Sequence, residues 1–313
     1  MKLHTHINEC GPFKKPFVTT GTFDGVHYGH RIILDKLMEN ANRHHGETVL
    51  ITFDPHPRKV LFPDDQSLKL LTTLDEKKKL LEKLGIEHLV ICPFTEKFSR
   101  MGAFEFIRDI LVNKIGVHKL MIGYDHQFGR NREGSWVQLE ENAQLFGFEL
   151  EEIPAQDIDD IKVSSTKIRK ALAEGRVELA KQYLGYAYTI EGTVMHGDKV
   201  GRSLGYPTAN IQLSSPDKLT PGQGVYAVTV QLEETTHYGM LNSGMRPTVS
   251  AEQKHPSLEV HIFDFEGDLY GQSIQVTFHQ KIRDELKFES RKALIEQLNK
   301  DQQRVQFYFN TLN

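Results

Sequence analysis

From Phe17 to about Gly147, short runs of β-branched and apolar residues alternate with stretches whose apolar positions recur at helical spacing. FVTT, ETVLITF, HLVIC and HKLMIG read as strands. VLITF and KLMIG run apolar almost throughout, as strands do when both faces of a parallel sheet are covered. Between the first two, Ile33, Leu34, Leu37, Met38 and Ala41 form one stripe of a helix that begins near Gly29 and lies on that sheet. The rhythm predicts an α/β domain with a Rossmann-like parallel sheet.

The pattern changes after two more helical stretches, at Ser165 to Ala173 and Val177 to Leu184. Between Tyr188 and Phe278 the chain offers YTIEGTV, VYAVTV, LEVHIF and SIQVTF, separated by Gly, Pro and Asn. Such runs predict a small antiparallel β-barrel. Leu294, Leu298, Val305 and Phe309 then mark a C-terminal helix over 291–309 that packs on the barrel. The expected boundary is Gly185, giving domains 1–185 and 186–313, a division that suits a chain of 313 residues.

Composition narrows the function without specifying it. Lys and Arg total 38 against 42 for Asp and Glu, a formal charge of -4, which argues against nucleic acid as a partner. No apolar stretch approaches the ~18 residues of a membrane span. The opening MKLHTHINECGPFKK has no basic segment followed by an apolar run, so the cytoplasm is the expected compartment. Cys10 and Cys92 stand far apart in sequence with no CxxC, so neither a disulfide framework nor a zinc site is expected.

Chemistry concentrates first in GTFDGVHYGH at 21–30, where a strand gives way to a helix. Such a turn collects unpaired backbone amides at the positive end of a helix dipole, a ready anion site. His27 and His30 add donors that can meet charge developing on a transferring phosphate. Alone, the pattern reads equally well as a turn with two surface histidines. SSTKIR at 164–169 closes the same domain, with Ser165 and Thr166 suited to cap a helix and Arg169 suited to polyphosphate.

The pair resembles the HxGH nucleotidyltransferases, and GTFDGVHYGH resembles their FMN adenylyltransferase branch. TFDPHPRKVL, PFTEKFSRM and GYDHQFGRNREG follow in the order of that branch. Thr22 stands where relatives often carry Asn. The resemblance implies that FMN phosphate attacks the α-phosphorus of ATP and that pyrophosphate leaves, with no covalent enzyme intermediate. It implies that His27 and His30 stabilise the transferred group and that Ser165, Thr166 and Arg169 hold the polyphosphate. Gly21, Phe23, Asp24, Gly25 and Gly29 would line the nucleotide. Asp125, Phe128 and Gly129 fall at a strand end and either line the flavin or adenine site or form a plain turn. Asp54 and His56 stand in a similar position.

A second constellation is GDKVGRSLGYPTANI at 197–211. It echoes a Walker A loop, but Asp198 precedes Lys199 and no helix follows, which excludes that reading. Gly197, Lys199, Gly201 and Arg202 then form a loop able to cover phosphates. Thr208 and Asn210 lie two residues apart on one face of an extended segment and offer neutral oxygens to a magnesium ion. Glu259, on an alternating strand, is a candidate general base.

With GVYAV, NSGMRPT, DLYG and RDELKF, this half resembles riboflavin kinase. The resemblance implies that Glu259 deprotonates the ribityl hydroxyl that attacks the γ-phosphate of ATP. It also implies that the RDELKF segment covers the flavin through Arg283 and Glu285. Both halves on one chain resemble the bifunctional bacterial FAD synthetases from about residue 17 to 302. That likeness implies riboflavin, FMN and ATP as ligands, FMN and FAD as products, and Mg2+ as cofactor.

Overall fold

The structure, a computed structural model, describes residues 1–65, 67–123, 129, 136–154, 163–197, 201, 204–247 and 254–311. The chain divides into two compact units, Met1–Ser165 and Thr166–Asn313.

The first unit is built on a six-stranded sheet in the order β1-β4-β3-β2-β5-β6, with every pairing parallel. Its strands are β1 Lys2–His4, β2 Pro16–Thr20, β3 Glu47–Asp54, β4 His88–Pro93, β5 Lys119–Gly123 and β6 Glu149–Ile153. From β2 the chain winds outward through β3 and β4, then returns to β5 on the other side of β2. The winding direction therefore reverses between β2 and β5, and a ligand crevice is expected beyond the C-terminal ends of those strands.

Helices cover both faces, which explains the unbroken apolar runs. α1 (Tyr28–Arg43) sets Leu34, Leu37 and Ala41 in a core with Phe17, Leu50, Leu89 and Met121. The opposite face takes Val18, Val49, Ile51 and Val90 into a core with a π-helical segment, Phe106–Ile115, and the helix Trp136–Phe146. α2 (Pro57–Leu61) and α3 (Leu74–Leu84) follow β3. α3 opens on a capping box between Thr73 and Glu76 and closes on Gly85 at φ 93°, a left-handed turn that favours glycine.

The second unit begins with the helices Ser165–Ala173, whose first residue belongs to the first unit, and Val177–Leu184. A closed barrel follows, in the order β10-β11-β8-β7-β12-β9. Its strands are β7 Thr189–Met195, β8 Ala209–Leu213, β9 Gly224–Leu232, β10 Thr235–Pro247, β11 Lys254–Ile262 and β12 Ser273–Arg283, all paired antiparallel. The C-terminal helix Arg291–Asn310, capped by Ser290, buries Val305 and Phe309 against Val225, Ala227, Met240 and Phe263. Among the described residues no helix is long and apolar enough to cross a membrane.

Candidate active sites

In the first unit the turn from Gly21 to His27 carries backbone that few side chains adopt. Phe23, Gly25 and Val26 have φ of 45°, 84° and 38°. Left-handed backbone at a bulky residue costs on the order of 1–3 kcal/mol and persists only where the surroundings over-determine it. Two clamps do so here. The buried carboxylate of Asp24 accepts from the backbone amides of Leu71 (3.0 and 3.1 Å) and Thr72 (3.0 Å). Lys77, 7% exposed on α3, donates from Nζ to the carbonyl of Thr22 (2.7 Å) and to Thr52 Oγ1 (3.4 Å).

The turn delivers His27 as the N-cap of α1, with its Nδ1 accepting from the amide of His30 at 3.4 Å. In a neutral His27 the ring proton therefore sits on Nε2. The His27 and His30 rings stack with centroids 3.6 Å apart, and Phe23 lies 4.9 Å from His30. Desolvation first, then the neighbouring His27 and Lys77, push the His30 pKa well below the ordinary histidine value. Among the described residues, Nδ1 of His30 and Oγ1 of Thr20 are buried with no hydrogen-bond partner. A buried polar atom left so costs roughly 1–3 kcal/mol, a cost native sites retain where a ligand or a reaction uses the atom.

These groups border a cavity of about 870 Å³ beyond the strand ends, large for a small-molecule site. Thr19, Thr20, Gly21, Thr22 and His30 form its polar wall. Phe53, Phe94, Phe98 and Phe106 form an apolar one, packed edge to face with neighbouring centroids 5.5 to 6.3 Å apart. At the mouth, Arg58 bonds Asp65 at 2.8 Å, beside the exposed Leu61 and Phe62. Gly129 also lines the cavity, and a Cβ there would come within 2.9 Å of Ala103.

In the second unit the register across the barrel places Asn210 opposite Glu259 and Glu259 opposite Asn242. Directly opposed residues of antiparallel strands share a face. On β11, Leu258, Val260 and Ile262 are buried while Ser257, Glu259 and His261 are not, so the row lies on the outer surface of the barrel. Ser257 Oγ donates to Glu259 Oε1 at 3.2 Å. Two glycines abut the same place. A Cβ on Gly197 would overlap the side-chain amide of Asn210, and one on Gly201 would lie 3.2 Å from Thr208 Oγ1. Glu285 reaches the same surface, since a Cβ on Gly244 would come within 2.8 Å of its Oε1.

The structure thus brings Gly21, Phe23, His27, Gly29 and His30 together at one turn, and Ser165 joins them by donating to the carbonyl of Asp24 at 3.1 Å. Thr166 and Arg169 continue the helix of Ser165. Asp24 and Gly25 face inward, where Gly25 donates to Thr72 Oγ1 at 3.0 Å. Gly197, Gly201, Thr208, Asn210, Glu259 and Glu285 gather on the barrel. The guanidinium of Arg283, expected against flavin, binds the fully buried Asp301 through Nε (2.9 Å) and Nη2 (2.8 Å) and the carbonyl of Asp284 through Nη1. Asp125, Phe128, Lys199 and Arg202 lie outside the described residues.

Sequence reasoning missed the four-phenylalanine wall, although Phe53, Phe94 and Phe98 sit inside the motifs it used. It also missed Lys77, which looks in sequence like one of three lysines on a solvated helix face.

The chain is similar to known proteins along most of its length. The FAD synthetase family model matches residues 12–167 and the riboflavin kinase model residues 184–309. The chain is 39% identical over 292 residues to a bifunctional riboflavin kinase/FMN adenylyltransferase of Listeria monocytogenes, covering 93% of this chain and 92% of that one. Proteins of the same description from Buchnera aphidicola and Escherichia coli are 40% and 37% identical, over 94% and 93% of this chain and 94% and 92% of theirs. A crystal structure from Streptococcus pneumoniae described as a macrolide-efflux protein superposes with a TM-score of 0.87 at 30% identity, covering 97% of this chain and 98% of that one.

Proposed function

Because the chain belongs to the bifunctional riboflavin kinase/FMN adenylyltransferase family, and so converts riboflavin to FMN and FMN to FAD with ATP, we propose that each reaction runs on one of the two sites just described. One pattern seen twice carries this reading. In each unit, residues far apart in sequence converge on a place suited to phosphate: His27, His30 and Ser165 at the start of α1, and Gly197, Asn210 and Glu259 on the barrel.

For adenylyl transfer, a phosphate oxygen of FMN forms a bond to the α-phosphorus of ATP as the bond to the β-phosphate oxygen breaks, releasing pyrophosphate. The first amides of α1 and the imidazoles of His27 and His30 stabilise the charge on the five-coordinate phosphorus. His30, held neutral by its surroundings, donates from one ring nitrogen and needs no charge of its own. The phenylalanine wall takes the flat flavin ring, which places the FMN phosphate toward the histidines.

For riboflavin phosphorylation, the ribityl hydroxyl attacks the γ-phosphorus of ATP and ADP leaves. Glu259 accepts the hydroxyl proton, and Ser257 orients the carboxylate. Gly197 and Gly201 let the backbone approach the phosphates where a side chain would strike the Asn210 amide or the Tyr206 carbonyl. The donor set fits Mg2+: two neutral oxygens, from Thr208 and Asn210, beside a phosphate loop leave positions for phosphate oxygens and water. Bound there, the ion would neutralise charge on the phosphates. Among the described residues no group of three His, Cys, Asp or Glu forms a separate metal site. We place the functional boundary at Gly185, whose left-handed backbone at φ 77° ends the helix Val177–Leu184.

The test is incubation of the protein with riboflavin, ATP and magnesium, with FMN and FAD separated by chromatography. His30→Ala is expected to accumulate FMN and make no FAD. Glu259→Ala is expected to make no FMN from riboflavin yet convert supplied FMN to FAD. Loss of both reactions in either folded variant would contradict two separate sites.

A further inference from the structure

Lys77 lies in none of the motifs that point to phosphate chemistry, yet it is the cation buried beneath the phosphate turn. Its ammonium donates to neutral oxygens, the Thr22 carbonyl at 2.7 Å and the Thr52 hydroxyl at 3.4 Å, while the carboxylates of Asp24 and Asp54 offset only part of the burial that lowers its pKa. Taking an ammonium out of water costs several kcal/mol, so a lysine persists there only where its charge or its donors are used. A leucine would fill the space more cheaply if packing were the whole requirement.

We propose that Lys77 is a positioning residue for adenylyl transfer, its ammonium fixing the Thr22 carbonyl and with it the left-handed Phe23 that sets His30 in place. This rests on the assignment of adenylyl transfer to the first unit. The chain of contacts is short. Thr22 is the residue before Phe23, whose φ of 45° is strained, and the Phe23 ring packs 4.9 Å from His30. The residue after Phe23, Asp24, is gripped by the amides of Leu71 and Thr72, immediately ahead of α3. Lys77 stands on the first turn and a half of α3 itself. Both sides of the strained residue are therefore held by one segment, Leu71–Lys77, and the capping box of Thr73 and Glu76 fixes how that segment enters the helix. Thr52 completes the arrangement, since its hydroxyl also donates to the Thr22 carbonyl at 3.2 Å.

The cation has a second consequence, because it faces His30 from below. His30 is also faced by His27 on α1, and across the cavity by His56, Arg58 and Asp65, while the carboxylates of Asp24 in the turn and Asp54 at the end of β3 act on Lys77 itself. Lys77 is among the groups that lower the His30 pKa, after burial and His27. Removing the ammonium lets that pKa rise.

The experiment uses the full chain and its second reaction as an internal control. Lys77→Met is expected to lower kcat for FAD formation from supplied FMN by roughly 10- to 100-fold, the cost of a misplaced catalytic group, with KM for ATP and FMN within about threefold. The limb of the pH profile governed by His30 moves to higher pH. Riboflavin phosphorylation is unchanged. Lys77→Arg, which keeps charge and donors, retains most of the transfer.

Adenylyl transfer by Lys77→Met within about twofold of the parent protein would overturn the inference, as would a KM effect with kcat and pH profile unmoved. Should Met at this position cost the first unit its fold, Thr52→Val decides. It removes one acceptor of Lys77 at nearly constant volume, and unchanged transfer there overturns the inference equally. His30→Ala separates the two levels. If it still makes FAD, the site assignment fails; if it does not while Lys77→Met does, only the role of Lys77 fails.

Discussion

Arg283 shows how one residue can be committed before any ligand arrives. Its partner Asp301 is fully buried and the guanidinium nearly so, with Gln297 Nε2 also donating to Asp301 Oδ1 at 2.8 Å. Breaking a buried pair by deleting one member strands the other charge and costs about 3–5 kcal/mol. Asp301→Ala is therefore expected to lower the stability of the barrel unit by that order, read as an earlier urea midpoint for that transition. Gly197 makes the complementary point, because there the absence of a side chain matters. Gly197→Ala would drive Cβ into the amide of Asn210. It is expected to reduce kcat/KM for riboflavin phosphorylation by about tenfold or more, equivalent to ~1.4 kcal/mol of transition-state stabilisation, while FAD formation from FMN holds. Parallel assays of ADP release and FAD formation check this.

The C-terminal helix is held to the barrel by that ion pair and by an aromatic seam. His279 on β12 bonds Thr229 Oγ1 at 2.9 Å and meets Phe309 from the helix at 5.3 Å. Burial first, then Lys181, brings the His279 pKa from 6.5 to about 4. Between those values the unfolded chain binds the proton that the folded barrel refuses, so stability falls as pH drops from 6.5 toward about 4. His279→Gln is expected to flatten that dependence, measured by urea unfolding of the barrel transition across the window. The elements themselves were legible to unequal degrees. β3 and β5 announced themselves because both faces are covered. β6, an edge strand reading ELEEI, mixes acids into its pattern, and β1 is three residues long, too short for any periodicity. β10 was missed because TTHYGMLNSGM is broken by His, Gly, Asn and Ser, and its strand character comes from pairing with β9 and β11. The motifs proposed as phosphate sites were legible for a different reason, since glycine and histidine stand in them at short, fixed local spacing. Lys77 and the phenylalanine wall were not, because only the tertiary fold turns the rings toward the cavity and buries the lysine against Thr22 and Thr52.

At the scale of the whole chain, two compact units carry two reactions that share an intermediate, FMN. The groups assigned to adenylyl transfer through His27, His30 and Lys77 draw their positions from the parallel sheet and its turn. Those assigned to phosphorylation draw theirs from barrel register. Nothing in the register of Asn210 and Glu259 depends on the Gly21–His27 turn, so damage to one cradle leaves the other chemistry intact. A mixture of the His30→Ala and Glu259→Ala proteins is therefore expected to make FAD from riboflavin although neither does so alone. FMN released by the first variant serves as substrate for the second, and a lag should appear while free FMN accumulates, shortening as either protein is raised. Chromatographic time courses would show it. A mixture that accumulates FMN but forms no FAD, while Glu259→Ala still adenylates supplied FMN, would mean that product and substrate pools are not exchanged through solution.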